Sequence, residues 1–174
     1  MSVASGDQRG AVVRVTYLEL RAPPTLREYG GPERIERERM TRSTYLWLYR
    51  RVGASVLWDQ RLAISSDALD SLLAGDALAI YVLRGGDDKP IGFCEFDRQG
   101  FPEIELKNFG VIPAVQGRGL GSWLLSVALQ AQWQSGASRI WLHTDTWDHP
   151  AAVKIYERAG FQIFDVRDEL AAPL

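Results

Sequence analysis

A glycine-rich turn between two apolar segments of different period constrains this chain more than any other feature. The turn is Gln116-Gly117-Arg118-Gly119-Leu120-Gly121. Ahead of it, Ile104 to Val111 reads as a strand, closed by Pro113. Behind it, Leu120, Trp123, Leu124, Val127, Ala128 and Ala131 recur at helical spacing. A glycine turn that leads from a strand into a helix aims several main-chain N–H groups at one point, where the helix dipole adds positive potential. That is a phosphate cradle. Side chains at the glycines would hold a phosphate away from the amides, and Arg118 can add a charge-assisted contact.

Two common nucleotide motifs fail on spacing. The dinucleotide fingerprint needs Gly-x-Gly-x-x-Gly and an acid about 20 residues on, and the nucleotide P-loop ends in Gly-Lys-Ser/Thr. Here the glycines fall as Gly117-x-Gly119-x-Gly121, no acid occupies Ser135 to Ala137, and the turn ends Leu120-Gly121-Ser122. The remaining alternative is a plain tight turn that eases helix–strand packing.

Gln116-x-x-Gly119-x-Gly121, after a strand ending Phe109-Gly110-Val111-Ile112-Pro113, resembles the acetyl-CoA motif of the GNAT superfamily of N-acetyltransferases. A second block supports the resemblance: a strand Arg139 to Thr144, then Pro150 to Tyr156 and Glu157-Arg158-Ala159-Gly160-Phe161. The two blocks cover residues 101 to 165. The resemblance implies that main-chain groups of Phe109, Gly110 and Val111, together with Gln116, Gly117, Arg118, Gly119, Leu120, Gly121 and Ser122, hold acetyl-CoA as co-substrate. Family members carry asparagine seven residues before the tyrosine. This chain has His149 there, which either reaches the cofactor or only starts the helix at Pro150.

The bulk composition fits. A chain of 174 residues suits one domain with one core, here residues 11–174 after a disordered polar tail over 1–10. With 20 Lys+Arg against 22 Asp+Glu, the net charge of −2 advertises neither nucleic acid nor an anionic membrane as partner. The lone Cys94 excludes an internal disulfide framework, reads as inert core, and suits a reducing cytoplasm. No stretch approaches the roughly 18 apolar residues of a membrane span.

Elements follow in order. Ala11 to Leu20 alternates as a strand. Arg21 to Thr41, with three prolines and the run Glu33 to Arg39, reads as an irregular surface segment with a solvated charge run and at most one helical turn. Helices are expected over Thr44–Val52, stopped by Gly53, and over Ser66–Leu73. Strands over Leu78–Leu83 and Ile91–Phe96 form a hairpin through Gly85-Gly86-Asp87-Asp88. Strand 104–111, helix 118–134, strand 139–144, helix 150–159 and a strand near 161–166 complete the order β-α-α-β-β-β-α-β-α-β. This is an α/β (α+β) fold: a mixed, mostly antiparallel sheet with helices on both faces, as the resemblance also implies. The family's usual final strand is then missing here or supplied by another subunit of a homodimer.

Acetyl transfer from a thioester to an amine makes three demands. An amine of pKa about 10.4 must lose a proton, the carbonyl oxygen needs a preorganised donor, and the leaving thiolate gains from an acid. Glu105 is the candidate base, on the strand entering the cradle and four residues before Phe109. The competing reading pairs it with Lys107 on the same face, and Glu95, Asp97, His143 and Asp145 are reserves. Tyr156 is the candidate acid by resemblance; helical spacing alone reads it as a core tyrosine. The N–H of Phe109 is the carbonyl donor, and Val111 bonds the pantetheine arm like an added strand. Tyr49, Trp58 and Arg61 are the candidate acceptor contacts, although ordinary core packing accounts for the aromatic rings better. Arg61 would suit a carboxylate on the acceptor.

The expected function is an N-acetyltransferase acting on a primary amine of a small molecule or peptide, by direct attack in a ternary complex and with no metal. A catalytically silent acyl-CoA sensor is the alternative. A tRNA-directed enzyme would need a basic face that the charge balance does not provide.

Overall fold

The structure is a computed structural model, which describes residues 11–56 and 58–170. The expected tail over 1–10 lies outside the described residues. Seven strands form one sheet: β1 (Val12–Leu20), β2 (Arg34–Glu38), β3 (Leu78–Arg84), β4 (Pro90–Asp97), β5 (Glu103–Val111), β6 (Arg139–Asp145) and β7 (Gln162–Leu170). Five helices accompany them: α1 (Arg42–Val52), α2 (Gln60–Ala63), α3 (Ser66–Ala74), α4 (Leu120–Gln134) and α5 (Ala152–Arg158). The spatial order is β2-β3-β4-β5-β6-β1-β7, antiparallel everywhere except between β5 and β6.

Alternation along β4 sends its side chains to two helical layers. Phe93 and Glu95 face α1, where Tyr45 packs on Phe93 and donates to Glu95. Cys94 and Phe96 face the other way, with Tyr81 of β3, whose hydroxyl accepts from Gln132 of α4. Helix α4 carries Leu120, Leu124, Leu125, Ala128 and Leu129 into that second layer, each no more than 1% exposed. Cys94 is fully buried, and burial pushes its thiol pKa well up.

The helices start where capping chemistry allows. Thr41 accepts from the N–H of Thr44, and Ser65 accepts from that of Ala68, each satisfying an orphan donor. Gly53 ends α1 as expected.

One part of the fold departs from the sequence reading. The charged segment expected to be irregular contains β2, which pairs in register with β3 from Arg34↔Arg84 to Glu38↔Ile80. Ile35 is its only apolar residue, so no alternation marked it; β3 supplied the ladder. Charges suit such a strand, because it ends the sheet and must resist further pairing. At the other end of the sheet, β1 lies between β6 and β7, antiparallel to both.

Candidate active site

Strands β5 and β6 pair in parallel for only three residues, from Glu103↔Arg139 to Glu105↔Trp141. Beyond them β5 runs on to Val111 and β6 to Asp145 without pairing to each other. A cavity of about 360 Å³ opens along this split, lined by Leu106, Phe109 and Val111 on one side and by His143 and Tyr156 on the other. That is the lower end of the size range for ligand pockets, about 300–1,000 Å³.

A bulge decides which groups of β5 face the split. Glu95 pairs with Asn108 and Phe96 with Leu106, so Lys107 is an extra residue in the ladder. The N–H of Ile112 bonds to Ile91 of β4. By alternation the backbone of Gly110 also points to β4, and the N–H groups of Phe109 and Val111 point into the split. The side chain of Phe109 turns toward α5, where its ring lies 6.1 Å from that of Tyr156. Gly110 is set by space: a Cβ there would lie 2.5 Å from Val52 of α1.

The cradle follows. Gly117 and Gly119 have φ of 76° and 78°, a left-handed backbone that other residues adopt at a cost of roughly 1–2 kcal/mol. Their missing side chains leave open space, so conformation and not crowding requires glycine here. Gly119 caps α4 without a side-chain bond. Among the described residues, no acceptor takes the N–H of Gly117, Arg118, Gly119, Leu120, Gly121 or Ser122. Six unclaimed donors at a helix N-terminus fit a diphosphate. Leu120, fully buried, anchors the helix start, and Gln116 reaches the Val111 carbonyl at 3.5 Å. Arg118 makes an ion pair with the residue just before β2. Its guanidinium bonds Glu33 at 3.0 Å, and Glu33 also accepts from Tyr29.

Glu105 and Tyr156 occupy distinct parts of the site. Glu105 accepts from Lys107 at 3.0 Å and lies 3.3 Å from Nδ1 of His143. Burial alone would raise its pKa, but hydrogen bonds from His143 and Lys107 outweigh this and hold it below the usual carboxylate value. Lys107 and His143 line the cavity, so Glu105 meets it through them. The ion pair and the site are thus the same cluster. Tyr156 lines the cavity directly, and its hydroxyl has no partner among the described residues. Burial drives its pKa up, with a further push from Asp148, so the phenol stays protonated.

The acceptor candidates separate. Trp58 lines the cavity. Tyr49 is 1% exposed, with its ring 5.3 Å from the indole of Trp58; burial pushes its hydroxyl to about 12. Arg61 is bound to the fully buried Glu95, which also accepts from Tyr45 at 2.5 Å and Asn108 at 3.1 Å. Its charge is committed inside the protein. His149 lines the cavity and accepts the N–H of Ala151 on Nδ1, in the turn that leads into α5. Two contributors had little sequence signal: Asn108, facing Glu95, and Asp148, bonded by Thr144 at 2.6 Å beside Tyr156. Among the described residues, no group of three or more His, Cys, Asp or Glu could hold a metal.

Known proteins resemble this chain. Mycothiol acetyltransferase of Corynebacterium aurimucosum is 29% identical over 177 residues, 94% of this chain and 56% of that protein. The Nocardia farcinica protein of the same name is 30% identical over 141 residues, 78% of this chain and 44% of that one. The chain thus spans about half the length of the curated relatives it matches. Among solved structures, a GCN5-related N-acetyltransferase from Sphaerobacter thermophilus superposes with a TM-score of 0.64 at 16% identity, over 90% of this chain and 50% of that one, a likeness of fold. The sequence model of the Acetyltransferase (GNAT) family matches residues 38–161, which contain the split strands, the cradle and Tyr156, and the chain belongs to that family.

Proposed function

We propose that the chain moves an acetyl group from acetyl-CoA to a primary amine of a small molecule or peptide, by direct attack within a ternary complex. One observation carries this reading: six unclaimed main-chain donors at the start of α4, at the foot of a cavity opened by the parting of β5 and β6. Membership of an acetyltransferase family supports it, as do relatives named mycothiol acetyltransferase.

Acetyl-CoA supplies the acyl carbon as an activated thioester; the remaining tasks fall to the chain. The amides of Gly117 to Ser122 hold the diphosphate, and Val111 pairs with the pantetheine arm. Glu105, acting with His143 at the cavity wall, takes a proton from the ammonium group and frees the nitrogen lone pair. As the C–N bond forms, the N–H of Phe109 meets the charge growing on the carbonyl oxygen. As the C–S bond breaks, the nitrogen gives up its second proton to solvent, and Tyr156 gives its proton to the sulfur and recovers one from solvent. The sum is an amide, a free thiol and one released proton. We place the reaction in the cytoplasm, where a buried free Cys94 stays reduced.

Thermal unfolding with acetyl-CoA, followed by an amine panel read with a thiol reagent, tests the reading. At a hundredfold excess over Kd, mass action adds about 2.7 kcal/mol, which raises Tm by about 5–10 °C for a chain of this size. Amine-dependent thiol release is expected next. No Tm shift with any acyl-CoA would remove the reading, and a shift without turnover would favour a sensor.

A further inference from the structure

Lys107 has no task in the transfer steps, yet it lines the cavity. Among the described residues that do so, it is the sole lysine or arginine. Its ammonium group lies 3.0 Å from Glu105, and its side chain keeps 29% of its surface exposed. The bulge in β5 sets it there. Lys107 is the extra residue, and the same irregularity aims Asn108 at Glu95.

A cation in that position works against the base. Burial raises the pKa of Glu105, but hydrogen bonds from His143 and Lys107 more than reverse this. A carboxylate held low takes a proton from an amine less readily. An acceptor that brings its own anion to Lys107 relieves that effect as it binds. Arg61 is closed to such a role, because Glu95 already holds it. The neighbouring wall is apolar: Val52, Val56 and Trp58 line the cavity. A Cβ on Gly110 would lie 3.9 Å from the outer edge of the Trp58 ring, which puts the indole against β5 where that strand borders the split.

We infer that the acceptor is a free α-amino acid with an apolar side chain, its carboxylate on Lys107, its ammonium group toward Glu105 and His143, and its side chain on Val56 and Trp58. The inference rests on the reading of the site as an amine acetyltransferase and narrows its acceptor. An α-amino acid carries both charges on one carbon. They can therefore meet a carboxylate and an ammonium group that touch each other, each pairing with its opposite. A peptide N-terminus has an amide in place of that carboxylate and would leave Lys107 on Glu105.

Steady-state kinetics of the intact chain with phenylalanine, phenethylamine, phenylalaninamide and glycine, at saturating acetyl-CoA, tests this. The wild type is expected to favour phenylalanine over phenethylamine in kcat/KM by about tenfold or more, the share of one hydrogen bond to a charged group. It should also favour phenylalanine over glycine. In Lys107→Gln the phenylalanine-to-phenethylamine ratio should fall about tenfold, and Lys107→Arg should keep most of it, with Tm unchanged in both. Comparing the ratio between proteins cancels the differing basicities of the amines. A ratio that Lys107→Gln leaves unmoved overturns the inference while the acetyltransferase reading stands. So does turnover of glycine or phenylalaninamide as fast as phenylalanine, or thiol release with other amines and none with phenylalanine. No thiol release with any amine removes the acetyltransferase reading, and this inference with it.

Discussion

The carboxylate of Glu105 lies 3.3 Å from Nδ1 of His143, at the last paired position before β5 and β6 separate. One residue thus ends the ladder and begins the site. Its lowered pKa means the carboxylate is already ionised at neutral pH, ready to take a proton. Glu105→Gln is expected to lower kcat by about 10²–10⁴-fold, the usual range for a lost general base. A second substitution divides the labour: a loss in His143→Gln as large as that in Glu105→Gln would show that proton removal needs both members of the pair.

The same shift has a stability consequence. A carboxyl whose folded pKa is depressed stabilises the fold above its ordinary value of 4.5, and that contribution disappears as pH falls through the lower folded value. Chemical denaturation should therefore find wild type more stable than Glu105→Gln at pH 7, with the gap closing below about pH 4. A gap independent of pH would disconnect the stability difference from the charge.

Tyr156 stands where its proton can only go to something inside the cavity. Tyr156→Phe keeps the ring contacts with Phe109 and Phe161 and removes only the hydroxyl. We expect kcat to fall about 10²-fold or more while the Kd of acetyl-CoA moves less than threefold. Because burial raises the phenol's pKa, no alkaline limb below pH 10 should be traceable to it. Unchanged kcat would leave Tyr156 as a packing residue.

Two glycines of the cradle should respond in opposite ways. Gly119→Ala forces a side chain into φ 78° and should destabilise the fold by about 1–2 kcal/mol, with a raised KM for acetyl-CoA. Gly121 is helical, and a Cβ there meets Phe109 only at an ordinary 3.7 Å. Gly121→Ala should stabilise the free protein by up to about 1 kcal/mol, yet weaken acetyl-CoA binding. Equal binding by Gly121→Ala would move the diphosphate away from this amide.

Arg61 and Glu95 form a partly buried pair that holds α2, and with it the segment carrying Trp58, to the sheet. Arg61→Met leaves Glu95 buried without its cation and should cost about 3–5 kcal/mol. Arg61→Met/Glu95→Gln removes both charges and should recover more than half of that loss. Additive effects in the double-substitution cycle would count against the pairing.

Leu18, fully buried, sits in the strand that joins β6 to β7. Leu18→Ala should cost about 2–5 kcal/mol, as for a core leucine, although it lies far along the chain from any motif. A loss under 1 kcal/mol by denaturant titration would contradict the central place of β1.

The sequence by itself determined what is written in consecutive residues: the strand–turn–helix around Gly117 to Gly121, the hairpin of β3 and β4, and the capped helices α1 and α3. Local backbone preference and side-chain period specify such features without help from the rest of the chain. Tertiary structure alone decided the remainder. It made a strand of Arg34 to Glu38, whose charges show no strand period until β3 offers a ladder, and it set β1 between β6 and β7. It also gave Arg118 to Glu33 and Arg61 to Glu95, which lie 85 and 34 residues away along the chain. A charged side chain takes the nearest opposite charge in space, and chain order carries almost no record of which one that is.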